Sequence, residues 1–245
     1  MVEDDLDIFI CTHKDFNPPV SSKVYKTVDS RQINVNLPLD DKFYSEVYQM
    51  KYVHDNIPLK KYVGFCQYRK YFSFLDDIPD IDGIFETNGC IITSVIDLGT
   101  DIRKHYSTVG NVEDLFLVES IVLNKYPDYY DATHAYFGGT QLIPGNMFIM
   151  KSEDFMVYCE FIFGVLEEYL DIVGLDIKQR IWDRRKFYIK DYYPNNTIDY
   201  QYRIGGQMVE RLTGAFIFKN FKNACCVGLK VTENKYDGIE EIRDV

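Results

Sequence analysis

Along most of the chain, short apolar runs that end in polar turns alternate with longer stretches whose apolar residues recur every three or four positions. That is the pattern of strands alternating with helices. Residues 6–11 (LDIFIC) predict a short buried strand, which opens onto Thr12-His13-Lys14. Residues 61–67 (KYVGFCQ) predict a second, which runs into Tyr68-Arg69-Lys70-Tyr71-Phe72. Residues 89–94 (GCIITS) and 146–150 (NMFIM) predict two more, and residues 224–231 a late one. Between them, 41–56 predicts a helix whose stripe is Phe43, Val47, Met50 and His54, capped by Asp40 or Asp41 and stopped by Asn56 and Pro58. Residues 111–125 predict a helix capped by Asn111, with Glu113 and Asp114 at the positive end of its dipole and Lys125 and Pro127 at its end. A third helix opens at Ser152, Glu153 and Asp154, with Phe155, Tyr158, Cys159, Ile162, Leu166 and Tyr169 on one face. A further helical pattern covers 205–218. Residues 16–38, with Pro18-Pro19 and many polar positions, read as irregular.

The alternation implies an α/β fold: a single Rossmann-like domain with a mostly parallel central sheet flanked by helices. No Gly/Ser/Pro-rich linker divides the 245 residues. One domain is therefore expected over 1–231, and an acidic, polar tail over 232–245. With 46% hydrophobic residues the chain can build a substantial core.

Charge narrows the partners. The net charge of −11 disfavours general nucleic-acid binding and electrostatic attachment to a membrane. The start, Met1-Val2-Glu3-Asp4-Asp5, is acidic where a secretory leader is basic, and no apolar run reaches membrane-spanning length. A cytoplasmic protein without a transmembrane segment is expected. The six cysteines, in apolar contexts and without a Cys-x-x-Cys pair, read as buried free thiols. The four histidines lack metal-ligand spacing.

Phosphate-loop, dinucleotide and nucleophile-elbow signatures are absent. What stands out is polar and basic residues directly after two buried strands, at Thr12-His13-Lys14 and Gln67-Tyr68-Arg69-Lys70. In an open α/β sheet, ligands bind beyond the carboxyl ends of the strands, so the two tips can share one crevice. A departing diphosphate gains charge in the transition state, and Arg69 and Lys70 are placed to stabilise it. Asp80-Ile81-Asp82 is the candidate metal pair for a Mn or Mg ion; the competing reading is a surface turn in a Pro-flanked loop. The Arg184-Arg185-Lys186 cluster, beside Asp183 and Asp191, reads as solvated surface charge.

Residues 61–72 (KYVGFCQYRKYF) resemble the "YVGLCHYRRYF" block of a family found in capsular and other surface-polysaccharide gene clusters, long labelled a domain of unknown function and similar to nucleotide-sugar glycosyltransferases of the GT-A type. Other blocks agree in order. Residues 10–14 (ICTHK) resemble "VATHK", and Ser45-Glu46 with Tyr48 resembles "ELTALYW". Residues 113–115 and 125–129 resemble "KDL…KYPEY", and 146–151 with Tyr158-Cys159 resemble "NMFIMKK…YCEWLF". Tyr202-Arg203, Gly206 and Glu210-Arg211-Leu212 resemble "QARVFGFLSERL". The resemblance covers roughly residues 8–218. Gln67 departs from it where the family carries His, and the polar stretch 180–198 is longer than the family pattern.

The resemblance implies a glycosyltransferase moving a sugar from a nucleotide-sugar donor, UDP-sugar favoured, to a glycan or lipid-linked glycan acceptor. Its donor site would be built from Thr12, His13, Lys14, Gln67, Tyr68, Arg69 and Lys70, with Arg203 and Arg211 as further diphosphate ligands. Asn146 would line the acceptor side. Glu210 would be the catalytic carboxylate, with Glu46 as the weaker candidate and a salt bridge from Glu210 to Arg203 or Arg211 as its structural alternative. The other function classes are a non-catalytic carbohydrate or nucleotide-sugar binding module and a nucleotidyltransferase; the latter needs a carboxylate pair for two metals.

Overall fold

A computed structural model describes residues 2–185, 197–234 and 239–244. A turn of helix, α1 (Val2–Asp5), leads into β1 (Leu6–Thr12), buried along its whole length. Successive side chains of a strand face opposite sides of a sheet. Phe9 and Cys11 therefore join the core on one face, and Leu6, Ile8 and Ile10 the core on the other. Strands β2 (Tyr25–Asp29) and β3 (Tyr62–Gln67) flank β1, and both run parallel to it. Ile8 thereby lies opposite Tyr25 on one side and Gly64 on the other. Residues 16–38, expected as irregular, thus hold β2 and a 3-10 turn at Ser30–Gln32.

Helices α2 (Asp41–Tyr44) and α3 (Glu46–Asn56) carry the chain from β2 to β3. The single helix expected over 41–56 is broken at Ser45, whose φ of 52° and ψ of −135° lie outside helical space. Strand β4 (Lys70–Phe72) folds back antiparallel on the tip of β3. Then follow α4 (Ile81–Phe85) and β5 (Cys90–Ile92). Two short strands, β6 (Ile96–Asp97) and β7 (Gln141–Leu142), pair with each other and bracket α5 (Ile102–Tyr106), α6 (Val112–Lys125) and α7 (Pro127–Gly138). The Asn111 side chain caps α6 by accepting from the Glu113 N–H at 2.9 Å.

Strand β8 (Phe148–Lys151) lies antiparallel between β3 and β5. Helix α8 (Ser152–Val173) buries all six stripe residues of the sequence pattern. Next come α9 (Ile177–Arg185), α10 (Ile198–Gln201) and α11 (Ile204–Asn220). The expected late strand is two: β9 (Ala224–Cys226), parallel to β5, and β10 (Leu229–Asn234), antiparallel to β4. Strand β11 (Ile239–Asp244) pairs with β10, so the stretch expected as a tail from 232 carries sheet backbone.

The result is the expected single α/β domain. Its central strands β2, β1 and β3 are parallel, helices cover the sheet, and antiparallel strands extend it. Helices α3, α8 and α11 press Phe65, Phe148, Phe155, Tyr158 and Phe216 into the larger core. Among the described residues, Cys11, Cys66, Cys90 and Cys159 are buried thiols as expected, while Cys225 is half-buried and Cys226 exposed. No helix among them is long and apolar enough to cross a membrane.

Candidate functional site

The carboxyl ends of β1 and β3 open onto a cleft of about 1170 Å³, walled by α3, α11 and the β3–β4 hairpin. Parallel pairing continues to Cys11 opposite Gln67, and the Tyr68 N–H donates to the Cys11 carbonyl at 3.1 Å. This brings the two polar tips side by side. Thr12, His13, Tyr68, Arg69 and Lys70 all line the cleft, as do Arg203, Asn146, Gln67 and Glu210. Lys14 is not among the lining residues.

Tyr68 organises the charge. The His13 ring meets it edge-on with centroids 5.3 Å apart. Lys14 Nζ lies 4.9 Å and Arg69 Cζ 5.0 Å from its centroid, so both cations sit on one aromatic ring. Arg203, at the start of α11, donates from Nε to Ser45 Oγ at 3.1 Å. Among the described residues, Arg69, Lys70 and Arg203 form no ion pair with a carboxylate. Burial, with Lys14 next in effect, holds His13 below its ordinary pKa. Both effects favour the neutral ring over the charged one.

Four of the expected ligands have another occupation. The Gly145–Asn146 turn, where Gly145 has φ 86° and Asn146 φ 52°, is held from three sides. Gln67 Nε2 donates to the Gly145 carbonyl at 2.9 Å, and the Gly145 N–H donates to Glu210 Oε1 at 2.6 Å. The Asn146 amide donates to the Gly206 carbonyl at 3.3 Å and accepts from Thr213 Oγ1 at 3.1 Å. Asn146 is only 5% exposed, so its side chain is consumed within the protein. The second carboxylate oxygen of Glu210 pairs with Arg211 Nη1. Arg211, 3% exposed, lies over the Tyr106 ring and off the cleft wall, which corrects its expected role as a diphosphate ligand. The salt-bridge alternative for Glu210 is thus realised, with Arg211.

The structure also moves the candidate metal pair. Asp82 bonds Lys61 Nζ at 2.5 Å and accepts from the Tyr62 hydroxyl at 2.7 Å, and Asp80 caps α4 by accepting from the Gly83 N–H at 3.2 Å. Tyr62, with Lys61 just before it, begins β3, whereas Gln67 ends it. At strand rise the two ends of β3 are about 17 Å apart, and the two carboxylates lie at the end away from the cleft. Among the described residues no three His, Cys, Asp or Glu side chains come together to hold a metal ion. Arg184 is no solvated surface charge: it grips Asp114 at 2.8 Å. Lys186 lies outside the described residues.

Several cleft residues escaped the sequence reading. Ser30 and Arg31, after β2, and Thr232, on β10, come from stretches read as irregular or as tail. Gln49 lines the wall one turn after Glu46. The available signal was their shared spacing on α3, which the apolar stripe of the same helix obscured.

Residues 7–222 match the family model described as "Domain of unknown function (DUF4422)". No curated protein matches the sequence. A similar solved structure, "WbbM bifunctional glycosytransferase apo structure", superposes with a TM-score of 0.72 at 18% identity, over 96% of this chain and 46% of that one. At that identity the likeness is one of fold, and the chain spans less than half the length of that protein. With nearly its whole length matched by the family model, the chain belongs to the DUF4422 family.

Proposed function

We propose that this protein is a cytoplasmic glycosyltransferase of GT-A type that binds a nucleotide-sugar, UDP-sugar favoured, and transfers its sugar to a glycan acceptor in polysaccharide or glycoconjugate synthesis. One observation carries the reading: cations from the β3–β4 hairpin and from α11, with no internal carboxylate partner, converge on the cleft where β1 and β3 end. Arg69, Lys70 and Arg203 would hold the diphosphate and take up the charge it gains on departure. The neutral His13 and the buried Thr12 would line the nucleoside side. The fold shared with a bifunctional glycosyltransferase supports the class of reaction.

The Asp80–Asp82 pair, engaged by Lys61 and by the start of α4, does not fit a metal at this cleft. That departure favours the second reading, a sugar-nucleotide binding module without catalysis. A thermal-shift panel of UDP-, GDP- and CMP-sugars, each with and without manganese, tests the reading. A ligand at a hundred times its Kd adds about 2.7 kcal/mol to the folded state, or several degrees of melting temperature. UDP-sugars are expected to give that shift, and Arg69→Ala, at an exposed site, to cut the affinity about tenfold with an unchanged unliganded melting temperature. If no nucleotide-sugar shifts the transition, the donor site is misassigned. Binding without any UDP release selects the second reading.

A further inference from the structure

Among the described residues, four carboxylates line the cleft and differ in availability: Asp41 accepts from Ser30 Oγ and Asp199 from Lys178 Nζ. Glu210 has both oxygens engaged, one by the Gly145 N–H and the other by Arg211. Glu46, the first residue of α3, lines the cleft and bonds no other side chain. Its environment is set by Arg203 and Glu210 from α11, Lys70 from β4 and the Cys11 thiol from β1, whose Sγ lies 3.9 Å from the Glu46 carbonyl oxygen. One turn along α3, Gln49 is 4% exposed and donates from Nε2 to the Thr12 carbonyl at 2.9 Å. A carbonyl only accepts, so this bond fixes which end of the amide is the NH2 group and leaves Oε1 as the other. Gln49 Oε1 is buried without a partner, and Gln49 is one of the cleft-lining residues. A buried acceptor left unmatched is costly and calls for a donor from the ligand. Residues three apart on a helix have Cβ atoms about 5–6 Å apart, which suits neighbouring hydroxyls of a sugar.

Resting on the transferase reading above, we propose that Glu46 is the catalytic base and that Gln49 accepts from a neighbouring hydroxyl of the acceptor, while Glu210 is a positioning residue for the Gly145–Asn146 turn. Glu46 takes the proton of the attacking hydroxyl as its oxygen bonds to the anomeric carbon. The bond from that carbon to the phosphate oxygen breaks, and its electron pair leaves with the diphosphate beside Arg69, Lys70 and Arg203. The products are the glycoside and the nucleoside diphosphate, and Glu46 then returns its proton to water. Attack of this kind inverts the anomeric configuration. Burial raises the Glu46 carboxyl above its ordinary pKa, toward the range of an effective base.

The test follows UDP release from UDP-glucose, UDP-galactose and UDP-N-acetylglucosamine with water as acceptor, alongside UDP binding by calorimetry and melting temperatures. Glu46→Gln is expected to lower kcat about 100-fold, to leave UDP affinity undiminished and to remove the acid limb of the pH–rate profile. Gln49→Met is expected to leave this hydrolysis and UDP affinity unchanged, since water carries no neighbouring hydroxyl, and to slow transfer to added methyl glycosides about tenfold; equal transfer by wild type and variant overturns the Gln49 role. Glu210→Gln is expected to lower the melting temperature and to keep the acid limb. A loss under tenfold in Glu46→Gln overturns the assignment, as does a 100-fold loss in Glu210→Gln with full stability. A wild-type protein that neither binds UDP nor releases it from any donor overturns the transferase reading itself, and this one with it.

Discussion

At the scale of single residues, identity is a poor guide to occupation. Asp114 reads from sequence as a helix-dipole residue, yet it is 0% exposed. It accepts from the Tyr169 hydroxyl at 2.8 Å and from Arg184 Nη1 at 2.8 Å, which ties α6 to α8 and α9. Removing one partner of a buried pair leaves the other uncompensated. Asp114→Ala is therefore expected to lose about 3 kcal/mol of stability, read as a lower midpoint in urea at unchanged slope. Glu210 and Asn146 make the same point inside the cleft. The family resemblance assigns them to a site, but does not show that they hold a turn. The contacts by which they hold the turn and α11 together span 60 or more residues of chain, and no local periodicity encodes them.

Elements with a strong local pattern were legible. The buried runs of β1 and β3, the cap of α6 and the stripe of α8 all have local causes: burial on both faces, a side-chain acceptor, a 3.6-residue period. The break at Ser45 has a distant cause. Helix α11 approaches so closely that a Cβ on Gly206 would come within 2.7 Å of Ser45 Cβ and 2.9 Å of the Tyr44 carbonyl oxygen. Continuous helical spacing over 41–56 carries no trace of that contact. The break orients the start of α3, and with it Glu46, toward the cleft. Gly206→Ala is expected to destabilise the fold by about 1–3 kcal/mol and to weaken nucleotide binding as well, measured by chemical denaturation and calorimetry on the same preparation. Loss of stability with binding intact would detach the helix break from the site.

For the molecule as a whole, the α/β class and the meeting of two strand tips were readable, since both follow from the order of apolar runs. The antiparallel placement of β4 and β10 was not, because strand direction is set by the partner a strand pairs with and leaves no trace in its own apolar run. The titration of the entire protein is also predictable. His13 and His105 are held below their ordinary pKa mainly by burial, so the unfolded chain takes up protons first. Stability is therefore full above about pH 6.5 and falls as the pH drops below it. Asp29, bonded to Arg31, and Asp82, bonded to Lys61, are held below the usual carboxylate range; their contribution is lost in turn below about pH 4. Glu46 and Asp154, raised by burial, act in the opposite sense. A plot of unfolding midpoint against pH should be flat near neutrality and bend downward first in the histidine range; a curve flat to pH 5 would contradict this. One last consequence follows from Tyr68 and its two cations. An aromatic face steadies positive charge without neutralising it. An arriving polyphosphate has no ion pair to break at Arg69, so the resting protein bears the mutual repulsion of its cations in advance and is relieved of it on occupancy.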